Sequence, residues 1–397
     1  MNEGPATVAV IIPTYNRSAL LAESLKSIAR QTRAADYVVV VDDGSTDDTA
    51  AVVQEVQREF FPNLNWPSFR YIGRTSNDGK AVAVNEALAD LDAIDPDLVW
   101  IFDDDDIADP LRLGYVVPFF EEDPKLDVVH TSAEYREDLS VDGKGNVVGG
   151  IGAREYWTVQ DCPDKWALRF MLHGCKWFGI SVMWRYDLLD RLFAVESGKD
   201  DDEARILREG FARRDFRPAL KDSAWPMDPR LERAQDYDLW LRFLRAGATS
   251  KGVDRTTVYA RAHDGDRGIG HRLNQEAVGR ATAESHRTIF EKLKTWPIET
   301  IFPGIEDDAT LQSEAHVELA YAFGLADLWD EALAELKKIE DPTVVRHVHR
   351  DAISRLIEAT GKEHPETKTV AIRIRDAWDD ANAAASDDPG LLAASIF

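Results

Sequence analysis

The stretch Leu98-Val-Trp-Ile-Phe-Asp-Asp-Asp-Asp-Ile-Ala-Asp-Pro110 restricts this chain more than any other. Leu98 to Phe102 is an apolar run of the kind that forms a buried strand, and it stops abruptly at four carboxylates, Asp103 to Asp106. Pro110 follows, where a helix can start. In an open α/β sheet ligands gather at the carboxyl ends of the strands, so these acids are expected at the mouth of a site. Adjacent carboxylates repel one another. A hard divalent cation is the cheapest relief, with Asp103 and Asp105 on one strand face. A solvated acidic turn in an acidic protein is the other reading, and this run alone leaves both standing.

Acids are common throughout: 72 Asp and Glu stand against 47 Lys and Arg, for a net charge of -25. That balance argues against a protein that coats nucleic acid or anionic membrane. It would also suit a salty cytoplasm, where a dense carboxylate surface stays hydrated. The 397 residues, 44% of them hydrophobic, allow two or three domains with a large core. No apolar run approaches the length of a membrane span, and MNEGPAT lacks the basic and apolar parts of a signal peptide. A soluble cytoplasmic protein, free or peripheral to a membrane, is expected. Cys162 and Cys175 have no histidines at zinc spacing and make no disulfide framework.

Along the chain, Val8 to Pro13 reads as a buried strand, and a helix capped at Ser18 carries Leu21, Leu25 and Ile28. Tyr37 to Val41 is a second strand, closed by Asp42-Asp43-Gly44-Ser45, with Asp47 or Asp48 capping the next helix. Phe69 to Ile72, the turn Asn77-Asp78-Gly79 and a helix from Lys80 to Leu91 lead into Leu98. The order β-α-β-α-β-α-β predicts a parallel sheet with right-handed crossovers. After Leu126 the pattern is mixed: a strand at Val128 to Thr131, a glycine-rich loop at Gly143 to Gly152, a helix at Lys165 to Leu172 and a strand at Gly179 to Trp184. A helix at Tyr186 to Phe193, a charged excursion at Glu196 to Asp228, an amphipathic helix at Ala234 to Arg245 and a β-like run at Thr256 to Ala260 complete this half. Beyond Ala281 the chain reads as helix, with one helical hairpin of the tetratricopeptide kind at Leu319 to Ile339.

The motifs at the strand ends are familiar as a set. Val-Ile-Ile-Pro-Thr-Tyr-Asn-Arg17, Val-Val-Asp-Asp-Gly-Ser-Thr-Asp-Asp-Thr49, Asn77-Asp-Gly-Lys-Ala-Val-Ala-Val-Asn85 and Phe102-Asp-Asp-Asp-Asp-Ile-Ala-Asp-Pro110 resemble family 2 glycosyltransferases. The likeness covers roughly Ala6 to Arg267 and is similar to the spore-coat polysaccharide type. It implies an α/β protein of the GT-A fold, a Rossmann-like nucleotide-binding half on a mixed central sheet. The expected division is a catalytic domain over 1-280, split into a nucleotide-sugar half (1-110) and an acceptor half (111-280). An appended α-helical region (281-397) follows; it packs on the catalytic domain or mediates assembly into homo-oligomers.

By the same resemblance, Pro13, Thr14, Tyr15, Asn16 and Arg17 line the nucleoside, with Tyr15 on the base. Asp43 accepts from the base imide, with Asp42 less favoured; Arg74 and Lys80 are nucleotide contacts or solvated helix-start charges. Asp103 belongs to the nucleotide site, and Asp104 touches the ribose or orients the metal. Asp105 holds Mn²⁺ or Mg²⁺ on the diphosphate, and His263 is a second metal ligand. Arg233-Ala-Gln-Asp-Tyr-Asp-Leu-Trp-Leu-Arg242 resembles the helix bearing the general base, which places the base at Asp236. A positive helix end is expected to keep Asp236 ionised, and Asp238 to point elsewhere or cap the helix. One or two of Trp157, Trp166, Trp177, Trp184 and Trp225 are expected in the site. The implied activity is metal-dependent, inverting transfer of a sugar from a nucleotide-diphosphate donor such as a UDP-sugar to a hydroxyl of a glycan, lipid-linked or small-molecule acceptor. The rival readings are a sugar nucleotidyltransferase and a catalytically silent scaffold.

Overall fold

A computed structural model describes residues 4-63, 68-137, 139-149, 153-159, 164-172, 174-198, 225-262, 275-341, 343 and 347-386. The elements of the first part are β1 (Val8–Thr14), α1 (Ser18–Ala29), β2 (Tyr37–Asp42), α2 (Thr49–Phe60), β3 (Phe69–Gly73), α3 (Lys80–Leu91), β4 (Leu98–Ile101), β5 (Ile107–Ala108) and α4 (Arg112–Glu122). There follow β6 (Val128–Glu137), β7 (Leu139–Val141), β8 (Val147–Gly149), β9 (Ala153–Trp157), α5 (Asp164–Met171), β10 (Val182–Arg185), α6 (Leu188–Ser197), α7 (Gln235–Arg245) and β11 (Ser250–Ala262). The chain then continues through α8 (Gln275–Leu293), α9 (Ile298–Ile301), α10 (Ala309–Leu325), α11 (Trp329–Lys337), α12 (His347–Ala359) and α13 (Pro365–Ser386).

Two compact units form, one of 1-164 and 175-275, the other of 165-174 and 276-397. Helix α5 thus lies in the first half of the sequence but groups with the C-terminal helices, so a single cut at 280 does not divide the chain cleanly.

In the first unit the sheet runs β3-β2-β1-β4-β10-β6-β11-β5. β3, β2, β1 and β4 are mutually parallel, and β10 enters antiparallel between β4 and β6. The four parallel strands match the β-α-β pattern of the sequence, and the antiparallel insertion makes the sheet mixed. Val8, Val10, Ile12, Val38, Val40, Leu98, Trp100 and Phe102 supply one face, covered by Leu21, Leu25 and Ile28 of α1 and Leu113, Val116 and Phe120 of α4. Ile11, Val39, Val41 and Val99 on the alternate face are also fully buried. Burial on both faces is why these strands read as continuous rather than alternating apolar runs.

Three local expectations need correction. Ser18 is the first helical residue of α1 and not its cap, and its N–H donates to Asp47 Oδ2 at 3.0 Å. The glycine-rich stretch is not all loop: it supplies the turn and second strand of the hairpin β7-β8, in which Leu139 to Val141 pair with Val147 to Gly149. Gly179–Ser181 is a 3-10 turn, and strand begins only at Val182. That turn is bolted from beneath. Trp100 Nε1 donates to Ile180 O at 2.7 Å, and Arg112, 0% exposed, donates to Ser181 O at 3.0 Å. Arg112 also donates to Thr131 Oγ1 and Thr257 Oγ1 at 3.2 and 2.5 Å, joining β6 to β11, and burial lowers its pKa to about 9.

In the second unit, α10 and α11 form the helical hairpin, and α12 and α13 stack on it through Val317, Leu336, Ile353, Leu356 and Ile374. Gly324 permits the close approach, since a Cβ there would lie 2.5 Å from Leu356 Cδ1. Glu318 is 3% exposed and accepts from Arg169 Nε at 2.9 Å and pairs with His349 Nε2 at 2.5 Å. A carboxylate so buried depends on its cations. Arg169→Met is therefore expected to destabilise this unit by roughly 3 kcal/mol. Guanidinium chloride unfolding of the full chain, read by tryptophan fluorescence, checks this.

Candidate active site

The site is built where β1, β2 and β4 end side by side. Asn16 adopts a left-handed φ of 50°. Its Oδ1 accepts from Thr46 N at 2.7 Å while its own N–H donates to Ser45 Oγ at 2.8 Å. The loops after β1 and β2 are thereby pinned together, and Tyr15 between them is left 41% exposed. Gly44, at φ 81°, passes so close to Ser76 that a Cβ would meet its carbonyl carbon at 2.8 Å.

Asp42 and Asp43 are both buried, but they are not equally occupied. Asp43 accepts from Gly79 N at 2.7 Å and from Asp78 N at 3.1 and 3.2 Å, and pairs with Arg74 Nε at 2.8 Å. Among the described residues Asp42 receives Ser45 N at 2.8 Å and the Tyr71 hydroxyl at 2.5 Å, and burial together with that carboxylate holds the Tyr71 pKa up. Arg74 also pairs with Asp78 and Glu86, so its guanidinium is committed to this loop.

The four acids after β4 diverge. They occupy a turn between β4 and β5 rather than one strand face, which corrects the sequence expectation. Asp104 turns to Thr14 Oγ1 at 2.7 Å and Arg17 Nη1 at 3.0 Å. Arg17 also reaches Asp105 Oδ2 at 3.2 Å. Burial and the neighbouring Asp105 charge raise the Asp104 pKa, while the same acids raise that of Arg17. Two buried carboxylates sharing one guanidinium explain both directions. Asp103, Asp105 and Asp106 each offer one oxygen within 4.8 Å of the others, a donor set that could hold a hard cation. Asp106 is the member that the motif reading missed. It lies in the same run, but nothing local marks which three of four adjacent acids converge. His263 lies outside the described residues.

Arg261, 3% exposed near the end of β11, braces this turn from the other side. Its N–H donates to Asp106 Oδ1 at 3.0 Å, its Nε to Asp105 O at 2.5 Å and its Nη1 to Glu23 Oε2 at 2.5 Å. The bracing contact itself joins residues 156 apart in the chain, Arg261 and Asp105.

A pocket opens beside the acid turn, lined by Lys80, Asp103, Ile180, Met227, Asp236 and Trp240 among others. Lys80 Nζ pairs with Asp103 Oδ1 at 2.5 Å, and its pKa is held up by the Asp103, Asp236 and Asp105 charges. Asp236, in the first turn of α7, faces this group. Burial pushes its pKa up against the Lys80 charge, so burial rather than a positive helix end dominates its titration. Gly179 lets it sit there, because a Cβ would collide with Asp236 Oδ2. Asp238 is not a cap; it pairs with Arg242 at 2.9 Å, both nearly sealed from solvent. Arg242 Nη1 in turn donates to Trp225 O at 3.0 Å. Asn85 brackets Met227, donating to its O at 2.7 Å and accepting from its N at 2.9 Å. Trp177 and Trp184 are core residues and the Trp225 carbonyl is a structural acceptor, whereas the pocket tryptophan is Trp240, absent from the sequence candidates. The Trp157 and Trp166 side chains lie outside what is described.

With this geometry in place, likenesses to known proteins become informative. Residues 9-187 match the model of "Glycosyl transferase family 2". The succinoglycan biosynthesis protein ExoU of Rhizobium meliloti is 34% identical over 296 residues, 69% of this chain and 72% of that protein. The chain belongs to glycosyltransferase family 2. An uncharacterised glycosyltransferase of Nostoc is 31% identical over 123 residues, 31% of this chain. The chain spans about a third of the length of the first curated relatives it matches, 35%, 34% and 29%. Among solved structures, S. aureus TarS in complex with UDP-GlcNAc superposes with a TM-score of 0.53 at 17% identity, over 93% of this chain and 92% of that one. That likeness shows the GT-A fold. No helix among the described residues is long and apolar enough to cross a membrane.

The bracing by Arg261 has a measurable consequence. If the acid turn holds a divalent cation, Arg261→Met should weaken that binding by about 10- to 100-fold, as loss of the partners around a ligand set typically does. Calorimetric titration of the full chain with MnCl₂ checks it, with circular dichroism confirming the fold.

Proposed function

We propose that the protein transfers a sugar from a nucleotide-diphosphate donor to an acceptor hydroxyl with inversion, and that it needs a divalent cation. The observation that carries this reading is a pocket lined by Asp103 and Lys80 together with Asp236. The first two mark the diphosphate end, and Asp236 is a carboxylate poised to take a proton.

In this reading Tyr15 stacks on the base above Pro13, Thr14 and Asn16. The imide is read by Asp42 rather than Asp43, since a carboxylate has about four acceptor positions and those of Asp43 are filled by the protein. Asp103, Asp105 and Asp106 hold Mn²⁺ or Mg²⁺, with Asp104 keeping Arg17 beside them. Bound there, the cation supplies charge neutralisation to the diphosphate. Asp236 accepts the proton of the acceptor hydroxyl as its oxygen bonds to the anomeric carbon, and the bond from that carbon to the diphosphate oxygen breaks. One in-line step inverts the configuration. The raised pKa of Asp236 strengthens it as a base. The acceptor is a glycan, a lipid-linked sugar or a small metabolite, and residues 281-397 are an appended region for packing or assembly.

Three outcomes are expected. Nucleotide binding by calorimetry, with uridine and guanosine diphosphates, should depend on Mn²⁺ or Mg²⁺ and be lost in EDTA; equal affinity in both conditions would reject the metal. Asp236→Asn should slow transfer by about 10²–10⁴-fold while metal-dependent nucleotide binding stays near wild type. Because the base works as its anion, wild-type kcat should fall as pH drops through the Asp236 pKa. Burial places that acid limb above the ordinary aspartate range. A pH profile with no acid limb there would reject the assignment.

A further inference from the structure

We propose that the indole N–H of Trp240 is a sugar-recognition donor, giving its hydrogen bond to a hydroxyl of a pyranose ring held beside Asp236. The inference rests on the transfer reading above and adds the residue that selects the ring. Trp240 lines the pocket and is 2% exposed, yet its Nε1 finds no acceptor among the described residues. A buried donor left unpaired is costly, and a buried tryptophan N–H ordinarily has a partner. Nearby Trp100 obeys that rule through Ile180 O at 2.7 Å. The Trp184 N–H is also unpartnered, but that ring packs on Phe243 at 5.0 Å and does not line this pocket.

Trp240 is held against turning by Trp177 at 6.2 Å and Phe243 at 5.9 Å between ring centroids. It follows Asp236 by one helical turn, an advance of about 6 Å along the axis. A ring whose reacting centre lies at Asp236 can present a second oxygen at that remove. Met227, Ile180 and Leu239 offer only apolar side chains to such a ring, and Trp240 is the lining residue whose indole N–H has no partner among the described residues. Few well-placed polar groups on an apolar wall are how pockets set orientation and specificity. The ring belongs either to the donor or to the acceptor, since the pocket contains both Asp103 and Asp236. The chemistry is the same, and kinetics separates the two.

The test uses the full chain with Mn²⁺ and a panel of UDP-glucose, UDP-galactose, UDP-N-acetylglucosamine and GDP-mannose. Nucleotide release is measured in water alone and with 4-nitrophenyl glycosides as acceptors. Trp240→Phe keeps the apolar ring and removes the donor. It should raise one KM by about 3- to 10-fold, the worth of one neutral hydrogen bond, with kcat and UDP binding little changed. A rise in the donor KM, seen in hydrolysis as well as transfer, places the hydroxyl on the donor ring; a rise only in the glycoside KM places it on the acceptor. A monodeoxy derivative of that sugar should lose the same factor with wild type and nothing further with Trp240→Phe. Unchanged KM values, or a deoxy penalty that persists in full in Trp240→Phe, overturn the proposal while leaving transfer intact. Absence of release from every donor sinks the transfer reading itself, and this proposal with it. If Trp240→Phe does not fold, the wild-type Trp240 indole resonance decides: it should shift when the protein is saturated with the sugar, and an unmoved resonance overturns the assignment.

Discussion

Four adjacent carboxylates at one strand end are the constraint on which the rest of this structure depends. Left to themselves they would repel and unravel the turn. The fold answers with cations brought from three other places: Arg17 from the loop after β1, Lys80 from the start of α3 and Arg261 from β11. Arg17 takes Asp104 and Asp105, Lys80 takes Asp103, and Arg261 gives its backbone N–H to Asp106 and its Nε to the Asp105 carbonyl, so the turn is held open with Asp103, Asp105 and Asp106 convergent. The residual negative charge is what suits the turn to the cation proposed for it. The chain's net charge of -25 is a background to this and not its cause.

The proposed reaction further requires a carboxylate, Asp236, that faces those acids without joining them. That placement depends on packing beneath the pocket. Trp100 and Arg112 hold the Gly179–Ser181 turn, and the missing side chain at Gly179 leaves room for the Asp236 carboxylate. The buried Asp238–Arg242 pair secures α7 to the Trp225 carbonyl, and Asn85 secures the adjoining Met227. The pocket wall is thus assembled from segments more than a hundred residues apart, each anchored by a hydrogen bond that a solvent-facing loop would not keep. Preorganisation of this kind is what lets a site hold reacting groups at a useful distance without reordering them during the reaction.

Within the helical unit the same economy appears at Glu318, which is buried only because Arg169 and His349 meet it. Arg169 comes from α5, a segment that the order of elements would assign to the other unit. Chain order alone cannot reveal such a loan, because it is decided by which apolar face finds cover.

What the sequence by itself determined is the alternation of strand and helix up to β4, the identity of the loops that end β1, β2 and β4, and the family to which the motifs belong. These are local matters. Period-two and period-3.6 burial, and short runs of acids and glycines, are written within a dozen residues of each other. The helical hairpin after Ala281 was legible for the same reason. Tertiary structure alone decided that Asp106 joins Asp103 and Asp105, and that Asp43 is filled while Asp42 is not. It alone brought Arg261 behind the turn and made Trp240, not the other tryptophans, line the pocket. Each of those outcomes is a contest among neighbours distant in sequence for the same hydrogen bonds and the same space, and such a contest is settled only when the chain has closed around it.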